Sequence, residues 1–360
     1  MPPSSDPPAR TSPSPGPPPA VAPTAVLERY RPGVLAELHR LLDGRRGSPY
    51  DLMRYHLGWE NGAGATPQGQ GGKLLRPALC LLSTEAVGGK SEASLPAAAA
   101  IELLHNFTLI HDDVEDESRE RHGRATLWTV RGMAEAINAG DGMFALAHVA
   151  VLRLVEGGQP PERVLRVAAM LDEATLRLCE GQHLDLLHAR QGEIGLEEYL
   201  SMIEGKTASL LAASCAVGAT LGDASDSVVE ALREFGRRLG LAFQIRDDYL
   251  GVWGDPRVTG KAASDDLRTG KKSYPVVLAL ERADGSDAAL LRGLLEQPAR
   301  DAAAVERARQ VLERSGARVE TEHAAAGHAA AAIEALDIDL DAERRQELES
   351  LARFAAARQA

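Results

Sequence analysis

The chain has 360 residues, of which 44% are hydrophobic and 26% are charged, so it is long enough to bury a sizeable core. Its 52 acidic residues exceed its 40 lysines and arginines, and the formal net charge of −12 argues against nucleic acid as a partner. The three cysteines include no CxxC pair, which argues against a zinc site and is typical of a reducing compartment, so we expect a cytoplasmic protein. No uninterrupted apolar run reaches the roughly 18 residues that a membrane-spanning helix needs, so we predict no membrane span.

The chain begins with a stretch that is unlike the rest. Residues 1–24 are dominated by Pro, Ser and Ala, and such a composition cannot bury a core, so we predict a disordered tail. From about Ala25 onward amphipathic helical patterns follow one another and strand patterns are nearly absent. The clearest of these patterns cover Val26–Leu42, Leu95–Asp113, Glu162–Arg190, Leu196–Leu221, Val228–Leu250, Asp301–Arg314 and Glu320–Leu336. The sequence therefore predicts one all-α domain over residues 25–360.

Two aspartate-rich runs lie at the ends of apolar helical patterns. They are Asp112-Asp113-Val114-Glu115-Asp116 and Asp247-Asp248-Tyr249-Leu250-Gly251. In the first run Asp112 and Asp116 are four residues apart and share one helix face, and Asp113 lies about 100° around the helix. Carboxylates so placed are hard oxygen ligands, and Mg²⁺ usually completes its coordination with water and substrate phosphates. The two runs together predict a diphosphate site bridged by Mg²⁺.

Further motifs surround these runs in a definite order. They are Gly72-Lys73-Leu74-Leu75-Arg76-Pro77, His105, Arg121, Gly181-Gln182 with Asp185-Leu186, Lys206-Thr207, Phe243-Gln244, Gly260-Lys261, and Asp266-Leu267 with Gly270-Lys271. One DDxxD motif alone is weak evidence, because acid pairs at a helix end are usually solvated. The whole ordered set, from about Gly72 to Pro275, closely resembles the trans-polyprenyl diphosphate synthases, the polyprenyl synthetase family.

The resemblance implies both a fold and a reaction. The fold would be an all-α, isoprenoid-synthase-type helical bundle around a central cavity, assembled as a homodimer with one site in each subunit. The reaction would be the Mg²⁺-dependent, head-to-tail condensation of isopentenyl diphosphate with dimethylallyl, geranyl or farnesyl diphosphate, by ionisation, condensation and elimination. The released diphosphate would accept the final proton.

The same resemblance assigns metal ligands. Three Mg²⁺ ions would be held by Asp112, Asp113 and Asp116 on one side and by Asp247 and Asp248 on the other. The metal ions would act as Lewis acids on the leaving diphosphate.

The resemblance also assigns substrate-binding and catalytic roles. Arg121, Lys206 and Lys261 would bind the allylic diphosphate, whereas Lys73, Arg76 and His105 would bind isopentenyl diphosphate. Lys271 would also bind substrate. Thr207 and Gln244 would stabilise the developing cation with their oxygen dipoles. The catalytic set would therefore comprise Asp112, Asp113, Lys206, Thr207, Gln244 and Asp247.

The sequence departs from the family pattern at two important positions. The family commonly has two arginines after the first aspartate motif, and this chain has Arg121-His122. Histidine is only partly charged at neutral pH, so the contact of His122 with isopentenyl diphosphate would be weakened. The second motif commonly ends in Asp, and here Gly251 takes that place.

Product length is predicted from the residues that precede Asp112. The growing chain would run beside the helix that carries Asp112, so Phe107, Thr108 and Leu104 would form the floor of its tunnel. By resemblance, one aromatic residue five positions before the motif with a small residue beside it is the pattern of synthases that stop at twenty carbons. We therefore expect geranylgeranyl diphosphate, with a farnesyl or a longer-chain synthase as the alternative.

Two alternatives of other classes remain open. A class I terpene cyclase shares the helical fold and the first motif, but it normally carries an Asn/Ser/Glu triad in place of the second one, and no such triad lies near Gln244–Lys261. A non-catalytic regulatory subunit usually loses acids from the motifs, and here only Gly251 differs.

Overall fold

The structure, a computed structural model, describes residues 22–59, 74–121, 123–259, 264–297 and 300–359. These residues form helices that are joined by short turns, together with one strand pair, β1 (Glu120–Arg121) and β2 (Arg124–Ala125), in antiparallel register. The helices are α1 (Pro23–Leu42), α2 (Tyr50–His56), α3 (Leu75–Ala86), α4 (Leu95–Glu115), α5 (Leu127–Arg131), α6 (Met133–Glu156), α7 (Pro161–Arg190), α8 (Leu196–Ile203), α9 (Ser209–Leu221), α10 (Asp226–Trp253), α11 (Pro256–Thr259), α12 (Asp265–Thr269), α13 (Tyr274–Arg282), α14 (Gly285–Leu295), α15 (Ala302–Arg314), α16 (Ala317–Glu334) and α17 (Ala342–Ala357). A short 3₁₀ turn, Ser91–Ser94, precedes α4, and a π-helical segment, Glu204–Ala208, joins α8 to α9.

Local sequence explains where several helices begin. Proline occupies the first turn of α1, α4, α7 and α13, where its missing N–H would have no intrahelical partner. Asp284, Asp301 and Asp341 precede α14, α15 and α17, and each carboxylate accepts a hydrogen bond from a backbone N–H of the first turn.

Helix α4 is the centre of the bundle. Alanines and leucines cover most of its circumference, and Ala97 to Leu104 are all buried against neighbouring helices, among them α3, α6 and α9. The stretch Ser91–Glu115 is long and apolar enough to cross a membrane by length and composition, but 67% of its apolar window is buried inside the protein. An apolar surface all round is what a central helix of a bundle needs. A second apolar cluster lies between α8, α10 and α13 to α16.

The structure confirms the all-α prediction and most of the helical patterns, with two corrections. Helix α1 begins at Pro23, so Pro23 and Thr24 belong to the folded domain and not to the predicted tail. The pattern over Leu196–Leu221, predicted as one helix, is divided by the π segment. Residues 1–21 and most of the glycine-rich stretch 58–72 lie outside the described residues.

Removing residues 1–21 should leave the melting temperature and the activity unchanged, because a Pro-rich stretch contributes little apolar surface to a core. Removing residues 1–27 is the matched control. It also deletes Val26 and Leu27, which are 1% and 7% exposed, and should lower the free energy of unfolding by about 3 kcal/mol or more. Denaturant titration of both truncations tests this boundary, and equal losses in the two would contradict it.

Candidate active site

Two helix ends bring the aspartate runs into one site. Asp112, Asp113 and Glu115 occupy the last turn of α4 and Asp116 is its C-cap, and this turn contains no basic residue. Asp247 lies on α10, six residues before its end at Trp253 and therefore ahead of its last turn. The C-terminus of a helix carries partial negative charge, so carboxylates there raise the local free energy unless cations compensate them.

Lys206 supplies one such cation from the π segment. Its ammonium group contacts Asp185 at 2.6 Å and Asp112 at 3.1 Å. Burial disfavours the charged form, yet attraction to Asp112 and Asp185 keeps the pKa of Lys206 above its usual value. The approach requires Gly181 on α7, because a Cβ there would lie 2.9 Å from Lys206 Cα. Single π turns in helices are frequent at functional sites, and this one directs Lys206 and Thr207 toward the acids.

Arg121, on β1, binds the second acid of the first run. Its Nε donates to both carboxylate oxygens of Asp113 at 3.0 and 3.1 Å, and its Nη2 lies 2.9 Å from Oδ1. Asp113 is 3% exposed, whereas Asp112 is partly exposed and Asp116 is exposed. The structure therefore separates the three acids: Asp112 and Asp116 face the open side, and Asp113 is held by a bidentate ion pair.

The acids of the second run have different surroundings. Asp248 is 1% exposed and accepts hydrogen bonds from the Tyr199 hydroxyl, from Tyr274 N at 2.9 Å and from Gln244 Nε2 at 3.0 Å. Burial raises the pKa of Asp248 to about 6, although attraction to Lys271 opposes this rise. The prediction that Asp248 is a metal ligand stays a prediction; both of its oxygens accept hydrogen bonds inside the protein.

Asp247 has a partner that the sequence analysis missed. Arg358, next to the C-terminal end of α17, donates to the Asp247 carboxylate and to Phe243 O, and its guanidinium lies 3.8 Å from the centroid of the Phe243 ring. The Arg358 side chain is only 5% exposed. No motif could have indicated this contact, since Arg358 is separated from Asp247 by 111 positions.

Thr207 and Gln244 form a pair between the two runs. Thr207 Oγ1 donates to Gln244 Oε1 at 2.9 Å, and Gln244 Nε2 donates to Asp248. The buried carboxylate of Asp248 therefore fixes the Gln244 amide with its oxygen toward Thr207. This gives Asp248 an indirect role, which is to orient a polar group that lines the cavity.

Two cavities adjoin at Thr207, which lines both of them. Cavity A, of about 500 Å³, is lined by the predicted residues Arg76, His105, Asp113, Arg121, Thr207, Gln244 and Asp247. Cavity B, of about 300 Å³, is lined by Arg76, His105, Phe107, Thr108, Asp112, Lys206 and Thr207. Arg76 Nη1 lies 3.3 Å from His105 Nε2, so these two residues stand together where the cavities adjoin. The structure thus brings together most of the residues that the sequence singled out.

The predicted floor residues lie along α4 beyond Asp112. Phe107 is 8% exposed and packs edge-on against Phe144 of α6, with ring centroids 5.3 Å apart. Leu104 does not reach cavity B; it lines a separate small cavity with His148 of α6. Phe107 therefore closes cavity B on the side away from Asp112, and Leu104 lies behind Phe107, outside the cavity.

The carboxylates of Asp112 and Asp116 are suited to bind a metal ion that takes its other ligands from substrate. Although Asp116 as a residue is exposed, surrounding protein atoms partly desolvate its carboxyl group; this desolvation and repulsion from Asp112 raise its pKa to about 6, and a bound cation would relieve the repulsion. Among the described residues no group of three or more His, Cys, Asp or Glu side chains converges into a complete metal site. A donor set of a few carboxylates suits Mg²⁺, which keeps water and substrate phosphates among its ligands.

Four other cationic residues were predicted to bind substrate: Lys73, His122, Lys261 and Lys271. Lys73, His122 and Lys261 lie outside the described residues. Lys271 faces the second run: burial disfavours its charge, but attraction to Asp248 and Asp266 raises its pKa overall.

Gly251, the departure in the second motif, is explained by close packing. A Cβ at this position would lie 2.8 Å from Oδ1 of Asp266 and even closer to the other carboxylate oxygen. The Asp266 carboxylate therefore occupies the space that a side chain at position 251 would need.

Gly251→Asp, which restores the common motif, should lower the free energy of unfolding by about 1–3 kcal/mol, because it overpacks the site and adds a like charge. Gly293→Asp is the control, since a Cβ at Gly293 has nothing within 4 Å. Chemical denaturation should find the control close to wild type. A Gly251→Asp protein as stable as wild type would show that the Asp266 carboxylate does not oppose a side chain at position 251.

Asp248→Ala should lower the free energy of unfolding by about 2–4 kcal/mol, because it leaves the Tyr199 hydroxyl and Tyr274 N–H without their acceptor. Asp112→Ala should change it by less than about 1 kcal/mol, since Lys206 retains Asp185. Equilibrium unfolding of the two variants tests the structural role of Asp248, and the reverse order of losses would refute it.

Comparison with known proteins agrees with this geometry. The Polyprenyl synthetase family model matches residues 63–312. A geranylgeranyl diphosphate synthase from Mycobacterium tuberculosis is 40% identical over 337 residues, which cover 93% of this chain and 94% of that protein. The crystal structure of a polyprenyl synthetase from Streptomyces coelicolor A3(2) superposes with a TM-score of 0.85 at 38% identity, over 93% of this chain and 99% of that one. That of a geranylgeranyl pyrophosphate synthase from Corynebacterium glutamicum, complexed with isoprenyl diphosphate and magnesium, gives a TM-score of 0.78 at 28% identity, over 93% and 98%. The chain therefore belongs to the polyprenyl synthetase family.

Proposed function

We propose that the protein is a Mg²⁺-dependent trans-prenyltransferase that condenses isopentenyl diphosphate with allylic diphosphates and makes mainly geranylgeranyl diphosphate. The observation that carries the proposal is that both aspartate runs line adjoining cavities A and B, with Lys206 and Arg121 paired to the acids of the first run. An acidic site that also contains fixed cations is suited to a diphosphate that arrives with metal ions.

The allylic diphosphate would bind between the aspartate runs. Asp112, Asp116 and Asp247 would hold three Mg²⁺ ions, which would neutralise the leaving group and stabilise its charge. Lys206 and Arg121 would then exchange part of their present contacts with Asp112 and Asp113 for diphosphate oxygens. The allylic C–O bond breaks and the diphosphate leaves with the electron pair.

Isopentenyl diphosphate would occupy cavity A, with its diphosphate on Arg76 and His105 and its double bond toward cavity B. The Thr207 and Gln244 oxygens would stabilise the allylic cation until the double bond attacks it and forms the new C–C bond. Loss of a proton to the released diphosphate then restores a double bond and gives a linear product with five more carbons.

Incubation with Mg²⁺, isopentenyl diphosphate and each allylic primer, followed by mass analysis, tests the proposal. A synthase yields a longer linear diphosphate. A terpene cyclase would instead release a hydrocarbon or an alcohol from the primer alone, and a regulatory subunit would yield nothing by itself. Either of these two results would overturn the proposed function.

We also propose a cytoplasmic homodimer. The long side chains of Leu152 on α6 and of Leu165 and Leu176 on α7 are 62–71% exposed, and a partner subunit would remove this apolar surface from water. All three cysteines are free thiols, which fits a reducing compartment. Sedimentation of the purified protein tests the dimer, and Leu165→Lys with Leu176→Lys should shift it toward monomer.

Asp112→Ala should lower turnover by at least about two orders of magnitude while the helical fold is retained, because it removes an open-side carboxylate and not a packing group. Asp172→Ala is the control, since this half-exposed aspartate contacts His148 and lines neither cavity A nor cavity B. Steady-state kinetics with saturating Mg²⁺ measures the difference. Near-normal turnover in Asp112→Ala would refute its role.

Phe107→Ala should give products longer than twenty carbons, because it opens cavity B toward Phe144 and Leu104. Thr108→Phe should shorten the product toward fifteen carbons, since one helix turn rises about 5.4 Å, comparable with one isoprene unit.

Phe235→Ala is the control for lost packing, because Phe235 is fully buried in the main apolar cluster away from both cavities. Both Phe→Ala variants should lose about 3–5 kcal/mol of stability, but only Phe107→Ala should change product length. Unchanged length in that variant would contradict the floor assignment.

A further inference from the structure

Glu102 is a buried acid that the proposed reaction does not use. It lies on α4, is 6% exposed and lines cavity A beside Arg76. Asn106 Nδ2 donates to its Oε1 at 2.8 Å, which fixes the carboxyl group within the cavity wall. An acid removed from water in this way favours its neutral form unless nearby charge compensates it.

Charged groups on several elements surround this carboxyl. Arg76 on α3 and Arg31 on α1 attract its ionised form, and Asp247 on α10 also attracts Arg76. His105, on the same helix as Glu102, contacts Arg76. Burial outweighs the hydrogen bond from Asn106 and the attraction of both arginines, and raises the pKa of Glu102 to about 7.

Arg76 links this acid to the substrate site. Its Nε is buried without a hydrogen-bond partner, so its guanidinium retains donor capacity that the protein does not use. A diphosphate group on Arg76 would satisfy that capacity and would place several negative charges near Glu102. The carboxylate would then lose its compensating cation and meet a like charge, and both changes favour protonation.

We propose that Glu102 takes up a proton when the diphosphate group of isopentenyl diphosphate binds Arg76, so that this substrate binds with a proton. The inference rests on the proposed function for the identity of the ligand. Neutral Glu102 can donate its O–H as a hydrogen bond, whereas the carboxylate can only accept. The substrate's affinity should therefore be highest at acidic pH and should fall as the pH rises through neutrality, by up to about tenfold per pH unit.

Titration calorimetry of isopentenyl diphosphate into the metal-free protein, in buffers of different ionisation enthalpy, counts the protons exchanged. The wild type should take up a fraction of a proton per site near neutral pH, where binding protonates the part of Glu102 that is ionised in the free protein. Glu102→Gln keeps the size of the side chain and an acceptor for Asn106, and it should abolish this uptake. Proton exchange by the ligand's own phosphates is common to both proteins and cancels in the difference.

Two further variants make the test specific. His105→Gln removes the other titratable neighbour of Arg76 and should retain the uptake. Asn106→Ala removes the hydrogen bond that favours ionised Glu102, so it should move the uptake maximum to higher pH while Glu102 remains in place. This second variant also tests the inference if Glu102→Gln fails to fold.

The outcomes separate this inference from the proposed function. Binding by the wild type without proton uptake, uptake that persists in Glu102→Gln, or a profile that does not move in Asn106→Ala would overturn the role of Glu102 and leave the synthase assignment intact. Absence of both binding and product formation in the wild type would overturn the proposed function, and this inference with it.

Discussion

Negative charge at the C-terminal ends of α4 and α10 is the constraint on which the site depends. The partial charge at the end of α4 disfavours the carboxylates of its last turn, and no basic residue there offsets it. Asp247 adds a further negative charge from α10, ahead of that helix's last turn. The compensating cations come from other segments: Lys206 from the π segment, Arg121 from β1 and Arg358 from the C-terminal end of α17. These contacts join five elements around one cluster of acids. Each is also a contact that a diphosphate with its metal ions can replace, so the charges that hold the site together are those that a substrate would use.

Neighbouring acids of the same type have different tasks because their surroundings differ. Asp112 faces the open side and Asp113 is held by Arg121, whereas Asp248 is enclosed and orients Gln244. Glu102 is buried nearer the N-terminus of α4. Burial raises its pKa to about 7, so both of its protonation states are populated near neutral pH. Burial and the nearest cation, rather than residue type, therefore decide which carboxyl group is available to metal, which supports the fold and which responds to a bound anion.

The sequence predicted the helices and the principal acids because both depend on local pattern. Apolar periodicity gave the bounds of α7 and α10 to within a few residues, and four-residue spacing placed Asp112 and Asp116 on one face. Features that depend on contacts between distant segments were missed. The pairing of Arg358 with Asp247, the hydrogen bond from Tyr199 to Asp248, and the approach of the Asp266 carboxylate to Gly251 have no local signature. The π segment was also missed, because its apolar pattern continues that of α8 and α9.

The central claim is that the two acidic helix ends bind an allylic diphosphate together with Mg²⁺. Calorimetric binding of farnesyl thiolodiphosphate, an analogue that resists ionisation, tests this claim without relying on turnover. The account predicts binding to the wild type only when Mg²⁺ is present, and loss of that Mg²⁺-dependent binding in the Asp112→Ala, Asp247→Ala double variant. Equal binding with and without Mg²⁺, or undiminished Mg²⁺-dependent binding in the double variant, would contradict it.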